Sequence, residues 1–342
     1  MTGALSGLEV LDLSDTIGGQ YCTRLMADFG ARVRAIEPPG GTATRRIGPF
    51  DAHGRSLTHL HLSLGKEETP AADMAELRLR ADIVVCGAGE GAAFRATNHK
   101  AVVTEVSSFG ADGPCAHWQA PEIVLQALSG MMNSNGTAGR EPLYGVGNRA
   151  SYAAGVAAYI ATVAALLARR GTGLGDLVRV DSAETAAAMC FPYLQQYFYN
   201  GTNRRRGLQD IPAGQVLCRG SWVCIWVYSN RFERLCRALG LEDCLEDPKF
   251  ADLRERSGNW RGFFERVAAV VRDRDAEDLV AELQGLDIIA ARAYRPSELR
   301  ASRHLAARAY WRRIEIDGAR YVIPGPPFRF SATPAIERGV PA

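Results

Sequence analysis

Ser151 and Glu122 are the two side chains whose types and settings suggest chemistry. Ser151 sits near the start of nineteen residues without a charge, Ala150 to Ala168, closed by Arg169-Arg170 and then Gly171, Gly173 and Gly175. A serine hydroxyl attacks an acyl carbon only when a general base takes its proton. No histidine lies near Ser151 in the sequence. The residue types therefore favour an N-cap, with the hydroxyl oxygen accepting an amide hydrogen of the first helical turn. Glu122, in Gln119-Ala120-Pro121-Glu122-Ile123, suits the positive end of a helix dipole. Its alternative is a general base.

Other chemistries are weaker. His59-Leu60-His61 has no cysteine or carboxylate at ligand spacing, and alternate positions on a strand account for it, so no metal is expected. Glu37 ends an expected strand where a dinucleotide-binding fold places a ribose-binding acid. Asp15-Thr16-Ile17-Gly18-Gly19-Gln20, however, is not the glycine pattern of that site. Arg204-Arg205-Arg206 is the densest basic cluster, read as a solvated linker or, less simply, a phosphate contact.

The elements that must position these residues alternate. Leu8 to Leu13 reads as a strand, Gly19 to Phe29 as a helix closed by Gly30, and Arg32 to Ile36 as a second strand. Ile83 to Cys86 and Ala101 to Val106 are short apolar runs of the kind buried in a parallel sheet. Residues 177–181 add a strand and 183–199 a helix. The alternation predicts an α/β fold with a parallel sheet. After a polar linker, Gly214 to Tyr228 reads as a hairpin turning at Arg219-Gly220. Helices over 231–239, 260–274 and 276–285 complete a smaller α+β domain, a helix over 298–310 leads back, and the tail is irregular. The expected division is a large domain of residues 1–195 plus 305–342 and a small one of residues 205–300.

Bulk properties narrow the class. The 342 residues can bury a substantial core, and 47% hydrophobic with 23% charged content is ordinary for a soluble globular protein. A net charge of +2, with no basic run interleaved with aromatics, argues against nucleic acid as a partner. The eight cysteines form no C-x-x-C pair, and several, such as Cys224 in Trp222-Val223-Cys224-Ile225-Trp226, sit in apolar runs. They read as buried free thiols in a reducing compartment. Met1 to Leu5 has no basic start or long apolar core, so a cytoplasmic location is expected. The uncharged run approaches membrane-spanning length. About half of it is alanine and glycine, which predicts a tightly packed internal helix and no membrane partner.

Several blocks together resemble a known family. They are Leu5-Ser6-Gly7-Leu8-Glu9-Val10-Leu11-Asp12-Leu13-Ser14, Leu25-Met26-Ala27-Asp28-Phe29-Gly30-Ala31-Arg32-Val33 and Ile36-Glu37-Pro38-Pro39-Gly40-Gly41. Further along come Ala150 to Val156, Thr172 to Gly175, Glu246 to Asp252 and Tyr321 to Phe330. In this order and spacing the chain is similar to the family III CoA-transferases, the CaiB/BaiF group, with formyl-CoA transferase, carnitine CoA-transferase and 2-methylacyl-CoA racemase relatives. The resemblance implies a Rossmann-like large domain with a smaller α+β domain and two interlocked ring-shaped chains. Coenzyme A or an acyl-CoA would be the substrate, with no metal.

What the resemblance implies for the site is specific. Acyl transfer in this family runs through an aspartate whose carboxylate attacks the thioester, because its acyl derivative stays reactive. That aspartate aligns with Ser151, which would give only a stable ester. The paired histidine of the racemases aligns with Pro121, so both proton carriers are missing. Glu122 matches an acidic position beside the family site. Of the coenzyme contacts, Lys66 in Ser63-Leu64-Gly65-Lys66 and Arg45 match family cations, with Thr16 and Ile17 nearby. Ile17 stands where a glutamine-type neighbour is usual, Thr42 replaces an aspartate, and a shielding glycine loop is reduced to Ile211-Pro212-Ala213-Gly214. The expectation is a non-catalytic subunit, paired with an aspartate-containing paralogue in an interlocked heterodimer. The alternatives are a stand-alone acyl-CoA enzyme working through Ser151 or Glu122, and an acyl-CoA-binding regulatory homodimer.

Overall fold

The computed structural model describes residues 3–118, 120–204, 206, 211–316 and 318–336. The chain divides into two compact units, residues 1–207 with 309–342 and residues 208–308.

In the first unit, β1 (Glu9–Asp12), α1 (Ile17–Asp28) and β2 (Arg32–Ala35) follow in the expected order. Thr16 caps α1 by accepting the Gly19 amide, and Gly30 leaves it at φ 102°. Next come α2 (Leu57–Ser63), β3 (Lys66–Glu68), α3 (Met74–Arg80), β4 (Ile83–Cys86), α4 (Gly91–Thr97) and β5 (Val102–Ser107). The unit continues with α5 (Glu122–Leu128), α6 (Arg149–Thr172), β6 (Leu177–Asp181), α7 (Ser182–Met189) and α8 (Phe191–Asn200). The six strands form one parallel sheet in the order β3-β2-β1-β4-β5-β6. Val10 lies between Val33 and Ile83, all fully buried. That row faces α1 and α6, while Leu11, Val84 and Val103 face a core shared with Leu77 and Phe94. Strand order reverses between β1 and β4, which opens a crevice at their carboxyl ends.

The uncharged run forms most of α6, and its small residues explain its burial. Ala150, Ala154, Gly155 and Ala158 recur at helical spacing on the buried face. A Cβ on Gly155 would lie 2.7 Å from the Gly18 carbonyl oxygen, so only glycine lets α1 approach. By length and composition α6 could cross a membrane. Its inner face instead meets the core beside the sheet, and Thr162 exchanges a 2.7 Å hydrogen bond with Thr104 of β5.

In the second unit, β7 (Ala213–Cys218) and β8 (Ser221–Trp226) form the expected hairpin around Arg219-Gly220. Helices α9 (Phe232–Leu239), α10 (Pro248–Ala251), α11 (Leu253–Ser257), α12 (Trp260–Val271) and α13 (Ala276–Gly285) precede β9 (Ile289–Arg292), which pairs antiparallel with β8. Val216, Val223 and Ile225 pack inward with Phe232, Phe263 and Leu279. Alternation turns Trp222, Cys224 and Trp226 outward. Cys224 is therefore an exposed thiol, although its apolar neighbours suggested a buried one.

Three local expectations change. Residues 298–310 form only two short helices, α14 (Pro296–Leu299) and α15 (Arg303–Ala307). The helix expected over 183–199 breaks at Cys190, where Pro192 starts α8. The tail is not wholly irregular: β10 (Trp311–Ile316) pairs antiparallel with β11 (Ala319–Pro324). Beyond it Phe328 stacks on Phe29, centroids 4.6 Å apart, within the first unit.

Candidate functional site

The sequence beyond β1 supplies Asp15 and Thr16, β5 leads to Ser108, and β6 leads to Ser182 at the start of α7. These residues, with Ile17, Gly18, Glu122 and Ser151, line one cleft of about 520 Å3 in the first unit. The amino ends of α1, α5, α6 and α7 border it. Four residues singled out from sequence, Thr16, Ile17, Glu122 and Ser151, thus come together although up to 135 positions separate them.

Their geometry corrects the role expected of Ser151. The N-cap position of α6 is Asn148, held in the left-handed region at φ 50° and ψ 46°, a conformation asparagine tolerates better than most residues. Ser151 is the third residue inside the helix. The cap comes from Glu122, buried at the start of α5. Glu122 Oε1 accepts from the Ala150 amide at 2.7 Å and from Gln126 Nε2 at 2.8 Å. Glu122 Oε2 accepts from the Ser151 amide at 3.1 Å and from Ser151 Oγ at 2.7 Å. An ionised carboxylate has about four acceptor sites, and all four are engaged here. Gln126 is fixed in turn by the Gly145 carbonyl and amide, at 2.8 and 2.9 Å. Ser151→Ala removes one charge-assisted bond and leaves three, so we expect a loss of about 1–2 kcal/mol in urea unfolding. A cost below measurement would show that the hydroxyl hydrogen bond contributes nothing net.

Lys66 and Arg45 do not line this cleft. Lys66 opens β3 with its side chain turned inward, 4% exposed. Its ammonium donates to Asp12 Oδ2 at 2.8 Å and to the Gln20 carbonyl at 2.9 Å. Thr23 Oγ1 donates to the same Asp12 oxygen at 2.6 Å. The Lys66 charge neutralises a buried carboxylate and is shut away from solvent, which argues against the expected coenzyme contact. Arg45 is partly exposed, but its guanidinium binds Glu37 at 2.7 Å and Glu68 at 2.9 Å. A phosphate would have to compete with two carboxylates.

The histidine pair is also relocated. His59 and His61 lie on α2, a helix and not a strand. His59 is buried, with Nδ1 2.9 Å from Thr44 Oγ1 and Nε2 3.1 Å from Ser63 Oγ. Burial, then the nearby Arg45, holds its pKa below the usual histidine value. Among the described residues, Glu37, His59 and Glu68 place potential metal donors within 4.8 Å of one another. Arg45 pairs with both carboxylates, so a metal ion would have to compete with its guanidinium. In the basic cluster, Arg204 lies over the Tyr193 ring at 4.3 Å and Arg206 binds the Asn133 and Arg140 carbonyls, so neither behaves as a solvated linker. Arg205 lies outside the described residues.

Sequence reasoning missed Tyr144, Asn148 and Ser182, which also line the cleft. For Asn148 a signal existed: asparagine just ahead of a long helical run marks a chain reversal.

Comparisons with known proteins agree with this architecture. The family model of CoA-transferase family III covers residues 5–342. A probable CoA-transferase of Mycobacterium tuberculosis is 31% identical over 326 residues, 87% of this chain. The chain spans only 41% of that relative's length. The BbsE subunit of a succinyl-CoA:(R)-benzylsuccinate CoA-transferase from Thauera aromatica is 26% identical, covering 95% of this chain and 88% of its own. A CaiB/BaiF family protein from Brucella suis shares the fold, with a TM-score of 0.88 at 22% identity over 100% of this chain and 97% of its own.

Proposed function

The chain belongs to CoA-transferase family III, and from that premise we propose that it is a non-catalytic subunit of a heteromeric acyl-CoA:carboxylate CoA-transferase. It works in the cytoplasm with a paralogue that carries the nucleophilic aspartate, and an acyl-CoA is the ligand class of its cleft. The observation that carries this reading is the Ser151–Glu122 clamp. A transferase needs a carboxylate with a free lone pair to attack a thioester. Position 151 supplies a hydroxyl, and the adjacent carboxylate has four protein donors on its oxygens. One relative is itself named as a subunit of a CoA-transferase.

Assembly with a second chain is supported by unpartnered apolar surface. No residue of α8 is buried, and Phe191, Tyr197, Phe198 and Tyr199 are all exposed. Ile160 and Leu167 are exposed on α6. Several exposed aromatic side chains on one helix are the kind of surface that a protein partner covers. Phe198→Asp should dissociate the assembly into monomers at micromolar concentration in light scattering. An unchanged assembly would remove α8 from the interface.

The decisive experiment is co-purification from the native source followed by a CoA-transfer assay. The expected result is transfer by a complex of this chain with an aspartate-containing paralogue and none by this chain alone. A second reading draws on one distance, the 2.7 Å between Ser151 Oγ and Glu122 Oε2: Glu122 as base for a serine nucleophile. An acyl ester on Ser151, found by mass spectrometry after incubation with acyl-CoA, would establish that reading and overturn the first. A homodimer that binds acyl-CoA without turnover would be a regulatory protein instead.

A further inference from the structure

A second cavity, of about 450 Å3, lies in the first unit. Its walls are α2, the first turn of α6 and the β10–β11 hairpin. Leu57, Leu60, Ile314, Ile316 and Val322 are among its lining residues, and among the described residues no aspartate, glutamate, lysine or arginine lines it.

Two of the polar side chains that line it, Thr58 and Tyr321, are already engaged. Thr58 Oγ1 donates to the Gly48 carbonyl at 2.9 Å. The Tyr321 hydroxyl donates to Asp51 Oδ2 at 2.9 Å, leaving the ring as wall. His61 is partly exposed to the cavity, and desolvation with the cations Arg24 and Lys66 lowers its pKa to about 4, so it is neutral at physiological pH. Tyr152 meets Tyr21 edge-on at 4.8 Å. A cavity of this size, apolar and without an available ion partner, has the character of a small-molecule site for an uncharged chain or ring.

Its neighbours tie it to the cleft. Ile47 and Ser151 line the cleft, whereas Pro49 and Tyr152 line the cavity. The same two chain segments separate the two spaces.

We infer that this cavity binds the saturated chain of a medium-length acyl group, which makes the ligand class of the protein an apolar acyl-CoA. The link to CoA rests on the proposed acyl-CoA reading; the cavity's affinity for an apolar chain does not.

Calorimetry with butanoate, hexanoate and octanoate, and separately with CoA and octanoyl-CoA, tests it. Each methylene added to the free acid should raise affinity about fourfold. Val322→Trp, at a partly exposed hairpin position, should fill the cavity and lower octanoate affinity tenfold or more while leaving CoA affinity unchanged. Ile314→Trp provides a second filling variant if the first misfolds. A flat dependence on chain length, or octanoate affinity indifferent to both variants, overturns the inference. So does octanoate binding only after a dimer dissociates, since a second copy of the chain would then own the cavity. CoA binding without octanoate binding defeats the cavity and leaves the acyl-CoA reading. Octanoate binding without CoA or octanoyl-CoA binding defeats the acyl-CoA reading and leaves the cavity.

Discussion

Lys66→Ala is expected to cost about 3–5 kcal/mol of folding stability, with CoA affinity of the folded protein unchanged. The ammonium lies 2.8 Å from Asp12 Oδ2, and both side chains are at most 4% exposed. Removing one partner strands a buried carboxylate whose remaining side-chain donor to that oxygen is the Thr23 hydroxyl. It also strips the Gln20 carbonyl of a hydrogen bond. Desolvating an uncompensated charge is costly, whereas replacing both members with apolar residues is often near neutral. The double variant Asp12→Leu with Lys66→Met should therefore recover much of the loss. Urea unfolding of the single and double variants, with calorimetry against CoA, measures both effects. Stability within about 0.5 kcal/mol of wild type, the range of an ordinary surface substitution, together with weakened CoA binding would return Lys66 to the ligand.

The same residue shows where sequence reading stops. Lysine is mostly exposed in folded proteins, so motif position alone made Lys66 a surface contact. Its burial depends on Asp12, 54 positions away, and a pairing of that range leaves no local pattern. The parallel sheet was legible because its signal is local: Ile83 to Cys86 is apolar throughout, and Gly30 marks the end of α1. The cap of α6 was not legible. Serine before an apolar run is the usual signature of an N-cap, but a carboxylate 29 positions upstream took that task. His59 and His61 fit a strand or a helix equally at two-residue spacing, and seven residues are too few for periodicity to decide. The cleft was readable as a set of residues, since Thr16, Ile17, Glu122 and Ser151 do converge. Their hydrogen bonds, which decide what the set can do, became visible only in three dimensions.

Ser151→Asp restores the residue type of the family nucleophile, yet it should not restore CoA transfer. A carboxylate introduced at position 151 meets Glu122 Oε2, now 2.7 Å from Ser151 Oγ. Two carboxylates at that separation cannot both ionise, so one binds a proton or is pushed from its place. If the introduced aspartate takes the proton it is no nucleophile; if Glu122 does, α6 loses an anionic cap. The neighbouring Ile17 also has no side-chain donor for a developing oxyanion, and a missing donor typically lowers kcat by about 10²–10³. Ser151→Asp should accordingly lower stability near pH 7 and show no transfer with the chain purified alone. Adding Glu122→Gln removes the repulsion and lets the amide donate to the new carboxylate, so the double variant should be more stable than Ser151→Asp alone. It should stay below wild type, because a neutral amide cannot accept all the donors that Glu122 accepts. It should still be slow, by the margin of the missing donor. A CoA-transfer assay and urea unfolding on wild type and the two variants separate these effects. Robust transfer by Ser151→Asp alone would mean that Glu122 yields its place readily and that the chain is an otherwise intact transferase lacking one carboxylate.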